Sequence, residues 1–104
     1  SPEHPLGQIT MNRIRLNILP ESLPDKRASH AFWVRYAEEI QLSDVFLRWD
    51  VARSEPNWKN LFRFEYITDL VLDRVKGKQL PDNPNPCAVY EHITRKEEFQ
   101  CRMN

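Results

Sequence analysis

From Asn12 onward, apolar and polar residues alternate. Ile14, Leu16 and Ile18 interleave with Arg13, Arg15 and Asn17, a period of two that predicts a half-buried strand. Pro20 and Pro24 end it within a turn-rich stretch (ESLPDKRAS), and a second run follows over residues 30–38. There Phe32, Val34 and Tyr36 fall on one side, with Trp33 and Arg35 on the other. The simplest pairing of two such runs is an antiparallel hairpin with a longer loop. The period then changes. Leu42, Val45, Phe46, Trp49 and Ala52 recur at helical spacing, Ser43 suits an N-cap and Asp44 suits a first turn. This predicts a helix over about residues 44–54, stopped by Pro56. Trp58, Leu61 and Phe62 fit a second short helix over residues 57–64, or an extended linker.

From Thr68 the pattern becomes β-like again through Leu70, Val71, Leu72 and Val75. It reaches a basic turn at Lys76-Gly77-Lys78, where a lone glycine suggests a positive φ. The segment DNPNPC, with two prolines, reads as an irregular loop. Residues 88–93 fit one helical turn, and Phe99, Cys101 and Met103 alternate with Gln100 and Arg102 as a closing strand. Residues 1–11, with two prolines and a glycine, read as a flexible lead-in, leaving 12–104 as the domain. No internal repeat is apparent. Hairpin, helix, then further strands give an α+β domain: one main helix packed on one face of a mixed sheet. In that layout the first and last strands lie side by side at the centre.

With 104 residues, 40% of them hydrophobic, the chain is sized for one domain with one core. Fifteen Lys and Arg balance fifteen Asp and Glu, which argues against a polybasic nucleic-acid arm or a membrane-surface patch. Two glycines in the whole chain leave no glycine-rich phosphate loop. Two cysteines, Cys87 and Cys101, are fewer than a secreted domain of this size usually carries, which favours a reduced intracellular setting.

The element order resembles the β-grasp fold of ubiquitin-like domains. Gly77-Lys78-Gln79-Leu80, followed by Asp82, is similar to a turn and short strand of ubiquitin. Tyr90 and Ile93 match core positions of its short helical turn, and residues 98–103 match its closing strand. A conjugated modifier ends in two glycines, whereas this chain ends Met103-Asn104, so attachment to other proteins is not implied. Arg74 stands where ubiquitin presents an apolar receptor-binding residue, which disfavours ordinary ubiquitin receptors. Arg13-Ile14-Arg15-Leu16 and Ala31-Phe32-Trp33-Val34 also resemble the first two strands of the coilin N-terminal domain. That resemblance implies self-association and favours the nucleus.

Candidate chemistry is sparse. Cys87, His92 and Cys101 fit no common zinc spacing, and small buried thiols beside a turn histidine explain them as well. Ser43 lacks a nucleophile setting. Glu38-Glu39 and Glu97-Glu98 are adjacent pairs, which strand geometry would point to opposite faces. No nucleophile, base and orienting group come together, so an enzyme is not expected and no cofactor or metal is implied. Trp49 reads as core. Trp33 points away from Phe32 and Val34, either onto an open sheet face beside arginines, a composition typical of binding hot spots, or beneath the excursion over residues 56–66. The candidate protein-binding residues are therefore Arg13, Arg15, Trp33, Arg35, Arg74, Lys76 and Lys78. The expected function is a non-catalytic ubiquitin-like interaction domain, part of a larger intracellular protein, that self-associates or docks a partner protein without a membrane. The alternative is a small RNA-binding domain using the same cations and aromatics.

Overall fold

A computed structural model describes residues 6–18, 30–51 and 58–104. They form five strands: β1 (Leu6–Ile18), β2 (His30–Trp49), β3 (Asn60–Lys78), β4 (Ala88–Phe99) and β5 (Arg102–Met103). Every pairing is parallel, in the order β1-β2-β3-β4, with β5 continuing beside β3. Leu6 faces Ala37, His30 faces Asn60 and Phe62 faces Ala88. Each turn of the chain thus lies on the one before it, as in a solenoid.

Strands of this length cannot be straight. The 20 residues of β2 would reach about 66 Å when extended, yet the longest dimension of the molecule is 35 Å. Left-handed residues make the corners. Arg13, Tyr36, Asp44, Tyr66, Arg74, His92 and Gln100 all have φ between 53° and 61°. The pairings put them in two columns, Tyr36-Tyr66-His92 and Arg13-Asp44-Arg74-Gln100. A left-handed conformation costs a non-glycine residue roughly 1–2 kcal/mol. Stacking offsets part of that cost in the first column. The Tyr36 and Tyr66 rings lie 4.9 Å apart and the Tyr66 and His92 rings 4.6 Å apart.

The core lies inside the coil. In the second rung Val34, Ala37, Ile40, Leu42, Val45, Leu47 and Trp49 are buried. In the third rung Phe64, Ile67, Leu70, Leu72 and Val75 take the equivalent positions, and Phe62, paired with partly buried Phe32, is buried as well. Each fully buried aliphatic or aromatic side chain contributes about 1.5–3 kcal/mol. Trp49 and Trp58 stack at 4.4 Å, both 2% exposed.

This arrangement overturns the α+β β-grasp reading. Among the described residues no helix packs on the sheet, the sheet is parallel rather than mixed, and β1 and β4 lie at opposite ends of it. The expected hairpin is a parallel pair. Residues 44–49, the first part of the expected helix, belong to β2, and residues 88–93 to β4. The cause is the corner at Asp44. A residue added between two strand segments places buried Leu42 and Val45 three apart, which imitates a helical period. Residues 50 and 51 follow the end of β2, and the remainder of that expected helix lies outside the described residues. The second expected helix falls largely on β3, whose Leu61 and Phe62 are core. The strand expected from Asn12 begins at Leu6, so residues 6–11 pair with β2 instead of leading into the domain.

Gly77 has no positive φ. It lies within β3, where a Cβ would collide with the Cys87 Sγ and come within 3.1 Å of Phe62. The position requires space, not an unusual backbone. The proline-containing loop after β3 is tied to the coil: Asn83 donates to the Trp58 carbonyl at 2.8 Å and Asn60 donates to the Pro86 carbonyl at 2.6 Å.

Candidate docking groove

The outward residues that follow the second corner carry one sign of charge. On β1, β2, β3 and β5 these are Arg15, Phe46 and Arg48, Lys76 and Lys78, and Arg102, aligned by the pairing register. Beside them runs the corner column Arg13-Asp44-Arg74-Gln100. Glu38, Asp69 and Glu97 lie instead on the middle segments of the second, third and fourth rungs. A net charge of zero therefore conceals a basic side of the coil.

Between the two columns lies a groove of about 670 Å³, lined by Arg13, Arg15, Phe46, Arg74, Lys76 and Arg102, with Asp44, Val45, Gln100 and Cys101 completing it. Asp44 is the only acid among these lining residues. It accepts an ion pair from Arg74 at 3.1 Å, and Arg74 also reaches Asp73 at 3.4 Å. Half of the Arg74 side chain stays exposed. The Arg15 guanidinium lies 5.4 Å from the Phe46 ring centroid, a cation–π contact that holds the arginine over the groove. Cys101 is half-buried, and its thiol donates to the Leu72 carbonyl at 3.4 Å.

Four of the seven residues expected to bind a partner, Arg13, Arg15, Arg74 and Lys76, line this groove. Lys78 is the next outward position on β3, just beyond it. Trp33 and Arg35 are on another segment, across the first corner, so the single Trp/Arg face expected from the sequence is divided. Trp33 is 52% exposed but committed: its indole N–H donates to Glu65 at 3.0 Å. Arg35 and Arg63 reach the same carboxylate at 2.8 and 2.7 Å. Burial would push the Glu65 carboxyl up. The hydrogen bonds from Arg63 and Trp33, with the charges of Arg35 and Arg63, outweigh burial and hold it below its ordinary value. His30 packs edge-on against Trp33 at 5.0 Å. Burial and the charges of Arg63 and Lys59 lower its pKa, against the opposing pull of Glu65.

The other candidate chemistry disperses. Burial pushes the Cys87 thiol up to about 11, and it packs inside the coil against Gly77. His92 stacks outside on Tyr66, so Cys87, His92 and Cys101 do not converge. Among the described residues no group of three potential metal ligands forms. Ser43 lies within β2 and caps no helix. Ala37 and Ile40 are both buried, three apart, which puts Glu38 and Glu39 together on the outside instead of on opposite faces. The last rung differs from the others. Lys96 and Glu98 replace Leu70 and Leu72 at inward positions. They pair at 3.4 Å, and the Lys96 ammonium sits 3.9 Å above the Tyr90 ring.

Sequence reasoning missed Phe46 and Arg102 as groove residues. Phe46 read as the buried stripe of a helix and Arg102 as the polar half of a closing strand. Only the register, about thirty residues per rung, brings them beside Arg15 and Lys76. The ubiquitin-like resemblance leaned on an order of hairpin, helix and strands that this coil does not have. Comparison with protein-family models, with curated proteins and with solved structures gives no match.

Proposed function

We propose that this chain is a non-catalytic protein-interaction domain whose basic groove docks an acidic segment of a partner protein. The observation that carries this reading is the convergence of Arg13, Arg15, Arg74, Lys76 and Arg102 on one groove with a single acid, Asp44, on its wall. Cations that line a concave surface attract and orient an anionic partner. Phe46 adds an apolar contact at the centre, where binding energy concentrates.

The RNA-binding alternative uses the same charges but needs free rings for bases to stack on. Tyr36, Tyr66 and His92 stack on one another, and Trp33 is bonded to Glu65 on a different segment. Phe46 is the one ring lining the groove, which favours the protein partner.

The test is titration with polyglutamate and with single-stranded oligouridylate, followed by calorimetry at low and high salt. Saturable, salt-sensitive polyglutamate binding that Arg15→Glu and Lys76→Glu abolish supports the proposal. Both residues are exposed, so circular dichroism of the two variants should match wild type. Tight oligouridylate binding with none to polyglutamate would transfer the groove to the RNA reading. Binding of neither would remove both.

A further inference from the structure

The spacing of the groove's cations specifies the backbone of the segment it takes. This inference rests on the acidic-partner reading and narrows it. Arg13 and Arg15 sit on the first rung, Arg74 and Lys76 on the third, and Asp44 and Phe46 on the rung between. Neighbouring strands are about 4.8 Å apart, so the two cationic pairs are about 9.6 Å apart along the stack. A ligand crossing the rungs must present its acids at that interval, with apolar surface over Phe46 between them.

Three regular backbones can be compared with this ruler. A β-strand repeats one face every second residue, about 6.7 Å, and then at about 13 Å, so it falls out of step. An α-helix returns to the same face after seven residues, about 10.5 Å, and so overshoots the interval by about 1 Å at every repeat. A polyproline II segment has three residues per turn and a rise of about 3.1 Å, so positions i and i+3 share a face about 9.3 Å apart. It is slender, and its prolines dock readily on aromatic rings.

We infer that the groove takes a polyproline II segment with Asp or Glu at every third residue, its acids on the Arg13/Arg15 and Arg74/Lys76 pairs and its intervening prolines on Phe46. Such a segment is already extended before it binds, so little chain entropy is lost on docking.

The experiment compares two synthetic peptides of identical composition by calorimetry on the full chain. One repeats Glu-Pro-Pro; the other gathers its glutamates into adjacent pairs separated by longer proline runs. The expected result is about tenfold tighter binding of the regular repeat. Phe46→Ala should erase that preference and bring the two peptides to one lower affinity, and Lys76→Gln, at an outward position, should weaken both peptides. Equal affinity of the two peptides would overturn the inference and leave the acidic-partner reading intact. Failure of both peptides and of polyglutamate would overturn both.

Discussion

Gly77 offers the sharpest test of the packing. A methyl group there would strike the Cys87 Sγ and lie 3.1 Å from Phe62 and 3.4 Å from Leu61. Phe62 and Leu61 are fully buried and Cys87 is 4% exposed, and the Leu61 and Phe62 amides both donate to the Cys87 carbonyl. None of these neighbours has room to withdraw. Overpacking of this kind costs about 1–3 kcal/mol, which lowers the melting temperature of a domain this size by about 4–8 °C per kcal/mol. A similar loss would follow if Gly77 needed a left-handed backbone, so the single variant does not separate the two explanations. The double variant does. Cys87→Ala removes the sulfur and leaves a space that the new methyl group can enter. Gly77→Ala should therefore be clearly less damaging in the Cys87→Ala background, with a coupling of about 1 kcal/mol between neighbouring sites. Urea unfolding followed by tryptophan fluorescence measures all four corners of the cycle, because Trp49 and Trp58 move from a buried stack into water. Strictly additive losses would refute the steric account.

Two further perturbations probe other parts of the coil. Glu65→Gln removes the charge that Arg35, Arg63 and Trp33 converge on and should cost about 1.5–3 kcal/mol at neutral pH. Because the Glu65 pKa is depressed in the folded state, its contribution is complete above the ordinary carboxylate value of about 4.3. It is lost as pH falls through the lower folded value. The stability gap between wild type and Glu65→Gln should therefore narrow in acid, and a gap that stays constant in urea melts across that range would contradict the reading. At the end of the stack, the double substitution Lys96→Leu and Glu98→Leu would continue the apolar columns of Leu70 and Leu72 onto an exposed surface. Light scattering should then report stronger concentration-dependent association than wild type shows, and a mass unchanged from wild type would show that this ion pair does not guard the end.

How much of this could be read from the chain depends on which residue is considered. Trp49 was legible as core because a large apolar residue in an apolar series is buried in either a helix or a strand. The cations Arg13, Arg15, Arg74 and Lys76 were legible as a cluster because they lie close in two short runs. The coil was not legible, although a repeat is present. Inward positions 32, 34, 37, 40, 42, 45 and 47 recur as 62, 64, 67, 70, 72, 75 and 77, with intervals of two, three, three, two, three and two in both rungs. Three of the seven pairs are identical, Phe32 and Phe62, Leu42 and Leu72, Val45 and Val75, but Ala37 answers Ile67 and Leu47 answers Gly77, so identity alone marks the repeat only weakly. The intervals of three come from left-handed corners at Tyr36, Asp44, Tyr66 and Arg74, and from the slips between Ala37 and Ile40 and between Ile67 and Leu70. Tyrosine and arginine do not advertise positive φ as glycine does. The corner also reverses which face is inward, which is why Phe99 ends up outside and 51% exposed while Cys101 and Met103 pack inward.

The parallel register also sets how this chain must find its structure. Partners such as Leu6 and Ala37, His30 and Asn60, or Phe62 and Ala88 are 31, 30 and 26 residues apart, so almost no strand contact is local. Each first pairing must close a loop of about thirty residues before any ladder bond repays the lost entropy. The chain should therefore fold slowly for its length, and its edges stay open to other chains while it does so. Yet the loop closed at each step does not lengthen as the stack grows. Once two rungs have met, the next adds to an existing template at the same entropic cost, so nucleation rather than growth limits the rate.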